Sequence, residues 1–172
     1  NSMGVIHFNK SDYLTALDFY KKSMEYGEES GDTKTIARNL NNMGVVYQYM
    51  GNYTEALKNY FTALKIFEEI GNKKGIGSAY TNIGLVYTKQ RNYTAALENH
   101  FAALKIYQET GKKNGITVAH NNIGMAYFDE GTYFDKALDN FFASIKLSEE
   151  IGDKSNLANT YGNIGLVYTQ QG

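Results

Sequence analysis

The strongest constraint on this chain is that it repeats itself. Gly44-Val45-Val46-Tyr47, Gly84-Leu85-Val86-Tyr87 and Gly124-Met125-Ala126-Tyr127 stand 40 residues apart, and Gly165-Leu166-Val167-Tyr168 follows after 41. Gly31, Gly71 and Gly111 keep the same interval, as do Tyr13, Tyr53 and Tyr93. The one extra residue falls in Tyr133-Phe134-Asp135-Lys136. A period of this length means a stack in which each unit buries its apolar face only against its neighbours. The 172 residues would otherwise suit one ordinary domain.

Residues 31–71 show what one unit is made of. Gly31-Asp32 reads as a helix stop followed by a cap. Leu40, Met43, Gly44 and Tyr47 then fall on one helical stripe at i, i+3, i+4 and i+7. Gly51-Asn52 punctuates again, with Asn52 placed as an N-cap and Glu55 three residues on, as in a capping box. Ala56, Leu57, Tyr60, Leu64 and Phe67 form a second stripe, and Gly71 closes the unit. Two helices of about 17 residues, each roughly 25 Å long, joined by a short turn, must be antiparallel neighbours. Gly44 sits mid-helix, where it costs about 1 kcal/mol relative to alanine. Its recurrence as Gly4, Gly84, Gly124 and Gly165 predicts close helix–helix approach, with a facing side chain in the space of the missing Cβ.

The same reading predicts the end of a first helix over 1–9 and helices near 12–29, 34–50, 53–70, 74–90, 93–110, 114–130, 134–151 and 155–171. It gives one all-α solenoid over 1–172: partial repeats at 1–30 and 152–172, whole ones at 31–70, 71–110 and 111–151. No proline interrupts these helices. Tyr161, Ile164, Val167 and Tyr168 are expected to lack the partner helix that would cover them. The chain therefore reads as a fragment of a longer protein, or as one whose uncapped last helix self-associates or is covered by another chain.

The set of residues resembles the tetratricopeptide repeat. The second unit supplies Leu40, Met43-Gly44, Tyr47, Ala56, Tyr60 and Ala63; the third, Tyr80, Ile83-Gly84, Tyr87, Ala96, His100 and Ala103. The fourth has His120, Ile123-Gly124, Tyr127, Ala137, Phe141 and Ser144. The fifth has Tyr161, Ile164-Gly165 and Tyr168, and the first keeps Met3-Gly4, His7, Ala16, Tyr20 and Ser23. Glu68 stands where the family has proline, and the period exceeds the family's usual length of about 34. The longer form is similar to the repeats of Pins-type adaptors, kinesin light chains and Rap-type regulators. The resemblance implies a right-handed α-α superhelix and a concave groove that binds a protein or an extended peptide.

It also implies which residues line that groove. Opposite the core stripe of the first helices lie Arg38, Asn42, Val45 and Tyr49, then Ser78, Asn82, Leu85 and Lys89. Val118, Asn122, Met125 and Asp129 follow, and Asn159, Asn163, Leu166 and Gln170 complete the series. Asn42, Asn82, Asn122 and Asn163 share one register, held by Ser2 in the first unit. Asparagine is a mediocre helix former, but its amide matches a peptide group's C=O and N–H. Helices about 8–10 Å apart would present such an amide to every third residue of an extended strand. Val45, Leu85, Met125 and Leu166 would give an apolar floor. Asparagines of adjacent helices bonding to each other is the competing account of the same pattern. Arg38 and Lys89, opposed by Asp129, argue against a clamp for a C-terminal carboxylate.

Other chemistry finds little support. The net charge of −1 creates no field for nucleic acid or anionic lipid. There is no cysteine and no apolar run long enough to span a bilayer, and no leader segment is expected; the expected setting is the cytoplasm, with the periplasm also compatible. His7, His100 and His120 replace core aromatics, without the surrounding ligands a metal site needs. Glu28-Glu29, Glu68-Glu69 and Glu149-Glu150 read as solvated helix ends. Asn9-Lys10-Ser11, Asn52-Tyr53-Thr54 and Asn92-Tyr93-Thr94 match the glycosylation sequon; for the latter two, helix capping is the simpler account. No phosphate loop or nucleophile elbow appears, so neither an enzyme nor a cofactor is expected. Two functions remain: a peptide- or protein-binding scaffold, and a sensory module of a larger signalling protein such as a histidine kinase, cyclase or transcription regulator.

Overall fold

A computed structural model describes residues 12–171, and these form eight helices without a strand. They are α1 (Tyr13–Glu29), α2 (Thr33–Tyr49), α3 (Tyr53–Glu69), α4 (Lys73–Lys89), α5 (Tyr93–Glu109), α6 (Lys113–Glu130), α7 (Phe134–Ile151) and α8 (Lys154–Gln171). The expected helix over 1–9, with Ser2, Met3-Gly4 and His7, lies outside the described residues, as do Asn9-Lys10-Ser11 and Gly172.

The punctuation works as the side chains dictate. Asp32, Asn52, Asn72, Asn92 and Asp153 each accept a hydrogen bond from the backbone N–H three residues on. This satisfies one orphan donor at the start of α2, α3, α4, α5 and α8. Only half of the expected capping box forms at Asn52. Its side chain accepts from Glu55 N–H, but its own N–H donates to the Tyr47 carbonyl and so has no need of the Glu55 carboxylate. Arg91 takes the left-handed conformation, φ 58°, that glycine takes at Gly51 and Gly131.

The chain divides into two compact units, Asn1–Val86 and Tyr87–Gly172. In the first, α1 packs on α2 and α2 on α3. Ala16, Leu17, Tyr20, Met43 and Val46 form a buried cluster there. The Tyr60 ring fills the space above Gly44, where a Cβ would sit 2.6 Å from it, and its hydroxyl donates to Gln48 Oε1 at 2.9 Å. Asn39, fully buried, donates to Ser23 Oγ at 2.8 Å.

In the second unit α6 packs on both α5 and α7, and α8 closes on α7. Ala137, Phe141, Ile145, Ile164 and Val167 make its core. Phe141 covers Gly124 as Tyr60 covers Gly44, again with 2.6 Å to the Cβ that is missing. The predicted reason for the mid-helix glycines holds at both places.

Where the second helix of one repeat meets the first helix of the next, bulk is traded across the contact. Phe67 lies against Gly75 and Tyr107 against Gly115, each ring in the space a Cβ would need. In the same register of the last repeat Ser148 stands in place of the ring and Asn156 in place of the glycine. Asn156 Nδ2 donates to Ser148 Oγ at 2.7 Å and to Ser144 Oγ at 2.8 Å, and Ser144 Oγ donates to the Thr117 carbonyl. All three side chains are buried, so this step is held by satisfied polar groups instead of an aromatic wedge.

One expectation for α8 needs correction. Ile164 and Val167 are buried, 8% and 0% exposed, because α8 turns them into the α7 core. Tyr161, Leu166 and Tyr168 are instead more than half exposed, and a Cβ at Gly165 would meet nothing within 4 Å.

Candidate functional site

The groove residues expected from sequence lie on the first helices of the repeats, and each unit can be described by itself. In the first, Asn42 and Val45 on α2 and Asn82 and Leu85 on α4 are half-buried, whereas Arg38 and Tyr49 are exposed. In the second, Asn122 and Met125 on α6 and Asn163 on α8 are half-buried, whereas Lys89, Asp129 and Leu166 are exposed. Half-burial is what a receptive surface needs: a fixed backbone with one side of each group still wet.

The asparagines are tied between repeats. Asn82 Nδ2 donates to Asn41 Oδ1 at 3.2 Å in the first unit, and Asn163 Nδ2 donates to Asn121 Oδ1 at 3.0 Å in the second. Thr160 Oγ1 also donates to Asn121 Oδ1, at 3.2 Å. An amide carries two N–H donors and a carbonyl with two lone pairs. Each tie therefore takes one N–H of the later asparagine and leaves its carbonyl and second N–H. Asn41 and Asn121 were not singled out by sequence; the only trace of them is the doublets Asn41-Asn42 and Asn121-Asn122.

A cavity of about 430 Å³ opens beside the Asn41–Asn82 tie. Arg38, Asn41 and Asn42 line it from α2, Lys74, Gly75 and Ser78 from α4, with Lys34, Asn72 and Phe67 completing the wall. Lys34 and Lys74 escaped the sequence reading because a lysine in the first turn of a helix looks like ordinary solvated surface.

Titratable groups elsewhere have structural roles. Burial pushes the His100 imidazole down to about 4, and neither ring nitrogen has a hydrogen-bond partner among the described residues. His120 Nδ1 lies within hydrogen-bonding distance of Asn140 Oδ1, at 3.0 Å. Burial raises the Asp129 carboxyl, while Lys89 and Arg91 pull it the other way. Among the described residues no group of histidines and carboxylates is arranged to hold a metal ion, and no helix is long and apolar enough to cross a membrane.

The profile of the tetratricopeptide repeat family matches residues 1–69 and 35–109. No curated protein matches the sequence. Among solved structures the chain is similar to BtubC (BKLC) from P. vanneervenii, at 18% identity with a TM-score of 0.87 over 98% of this chain and 70% of that one. It is similar to a Rap protein complexed with competence and sporulation factor, at 18% identity and TM-score 0.74, covering 98% of this chain and 52% of the other. A third is the signal transduction ATPase PH0952 from Pyrococcus horikoshii, which carries a tetratricopeptide repeat sensor: 21% identity, TM-score 0.82, 99% of this chain but 26% of that one. At such identities these likenesses establish the fold, that of the tetratricopeptide α–α solenoids.

Proposed function

Since this chain belongs to the tetratricopeptide repeat family, a family of interaction scaffolds, we propose that it binds an extended peptide or partner segment along the first-helix faces of its repeats. One observation carries this reading. Asn82 and Asn163 are each held in place by one donated hydrogen bond, yet remain half-buried with a carbonyl and an N–H to offer. Fixing the amide beforehand lowers the ordering cost of meeting a peptide group. Each such bond contributes about 0.5–1.5 kcal/mol net, so several must act together. Val45 and Leu85 in one unit, and Met125 and Leu166 in the other, supply apolar contact for side chains. The solved Rap complex with competence and sporulation factor supports a binding role for this fold. No group acts as nucleophile or general base in this reading.

A peptide-library selection against the wild type tests it. Asn82→Ala with Asn122→Ala should abolish recovery of the selected sequences. The loss of the Asn41 tie should cost about 1 kcal/mol, a fall in melting temperature of only a few degrees. Undiminished recovery by the double variant, or a collapse of its fold, would leave the amides as structural ties alone.

The sensory reading is the alternative, favoured by the repeat sensor of the signal transduction ATPase. An effector domain encoded in the same reading frame would decide for it.

We further propose that a second copy covers the open face of α8. Tyr161 and Tyr168 are exposed there, and no charged residue follows Lys154 on that helix, so two such faces meet without like-charge repulsion. Sedimentation velocity should show concentration-dependent dimerisation that Tyr161→Glu with Tyr168→Glu removes; a wild type that stays monomeric refutes it.

A further inference from the structure

We propose that the cavity between α2 and α4 is an oxyanion pocket, taking a carboxylate or phosphate group carried by an acidic side chain of the bound segment. The source of the anion rests on the peptide-binding reading; the chemistry of the pocket stands on its own.

Charge is the first argument. Lys34, Arg38 and Lys74 all line one cavity, and none of them forms an ion pair among the described residues. The neighbouring carboxylate, Asp32, is already engaged as a cap by Thr35, through N–H at 3.0 Å and Oγ1–H at 2.7 Å. Lys34 and Arg38 also feel the Asp32 carboxylate and help hold it ionised, so it offsets one of the three cations and leaves the cavity with an excess of positive charge that favours an entering anion.

Hydrogen-bond polarity is the second. Asn41 Oδ1 is taken up by Asn82, and Asn72 Oδ1 by the Gly75 N–H. Both amides therefore turn their NH₂ groups to further partners, beside the ammonium groups and the guanidinium fork. Ser78 is the exception: its hydroxyl donates to the Lys74 carbonyl. A cavity this rich in donors suits an oxyanion, and the planar Arg38 fork suits two of its oxygens at once. The Phe67 ring in the wall displaces water and strengthens the attraction.

The protein supplies its own control. The second unit repeats the site in register with Asn114, Val118, Asp153, Ser155 and Asn159, and none of these is a cation. The cationic set is not a feature that every repeat carries, and the net charge of −1 shows no general basicity that would place it there by chance. The stripe reading of the sequence weighed Arg38 and Lys89 against Asp129 and argued only against a clamp for a C-terminal carboxylate; Lys34 and Lys74 come from the first turns of α2 and α4 and were not in it.

Two measurements test the proposal. In a ¹H–¹⁵N titration of the whole chain with inorganic phosphate, and separately with succinate, amide shifts should move around Lys34, Arg38, Lys74 and Ser78. They should stay still around Asn114 and Ser155. Lys34→Ala with Arg38→Ala and Lys74→Ala, all at exposed positions, should keep the helical circular dichroism spectrum and weaken phosphate binding by about tenfold or more. No shift at the pocket, or equal shifts in both units, overturns the oxyanion pocket. In the peptide selection, wild type should enrich Asp, Glu or phosphoserine at one position, and the triple variant should lose that preference. Peptides recovered without acidic preference refute the side chain as source and leave peptide binding standing. A pocket that binds phosphate in a protein that selects no peptide refutes the peptide reading and assigns the pocket to a free anion.

Discussion

Phe141→Ala is expected to lower the unfolding free energy by about 3–5 kcal/mol, a large share of the roughly 5–15 kcal/mol that holds a domain folded. The ring is fully buried and sits directly on Gly124, so its removal leaves a void that the rigid helix backbone cannot close. The same geometry predicts a change of sign. In the wild type Gly124→Ala should destabilise by up to about 2 kcal/mol, because overpacking costs more than the roughly 1 kcal/mol gained in helix propensity. In the Phe141→Ala background the added methyl enters empty space, and Gly124→Ala should stabilise. Gly165→Ala, with no atom near its Cβ, should stabilise in the wild type as well. Urea unfolding followed by circular dichroism reads all four. A stabilising Gly124→Ala in the wild type would mean that the ring and the glycine are not in contact.

Acid should unfold the protein by way of His100. Its folded value of about 4 lies below the ordinary 6.5, so between these pH values the unfolded chain binds a proton that the folded chain refuses. Stability is complete above pH 6.5 and falls as pH drops toward 4, by about 3 kcal/mol in all at about 1.4 kcal/mol per unit. Tyr60 and Phe141 occupy the same register in other repeats. His100→Phe should therefore fit, should remove two buried nitrogens that lack partners, and should raise stability at pH 7 by about 1–3 kcal/mol. Above all it should flatten the stability curve between pH 6.5 and 4. An unchanged acid slope in the variant would place the titrating group elsewhere.

The contrast between these residues explains what the sequence could reveal. Gly44 and Tyr60, or Gly124 and Phe141, belong to one repeat, and helical periodicity with a short turn is enough to bring them together. Helix ends were equally legible, within one residue, since a cap is a local event. The Asn41–Asn82 tie, the Asn156–Ser148 network and the company of Lys34 with Lys74 all cross from one repeat to the next. The rotation between neighbouring repeats decides those meetings, and no local pattern encodes it. Ile164 and Val167 were misread for the same reason: their cover comes from α7, not from a helix that would follow them.

Near-identical segments joined in a row face a particular hazard, since any one could dock on the wrong neighbour during folding. The traded bulk at Phe67 and Gly75, against Ser148 and Asn156, acts as a set of unlike keys. An aromatic ring offered to Asn156 would find a side chain in its way and strip two hydroxyls of their partner, while Ser148 offered to Gly75 would leave a hole. The mismatch sets this last junction apart from the two in which a ring lies on a glycine, so divergence between repeats disfavours that exchange.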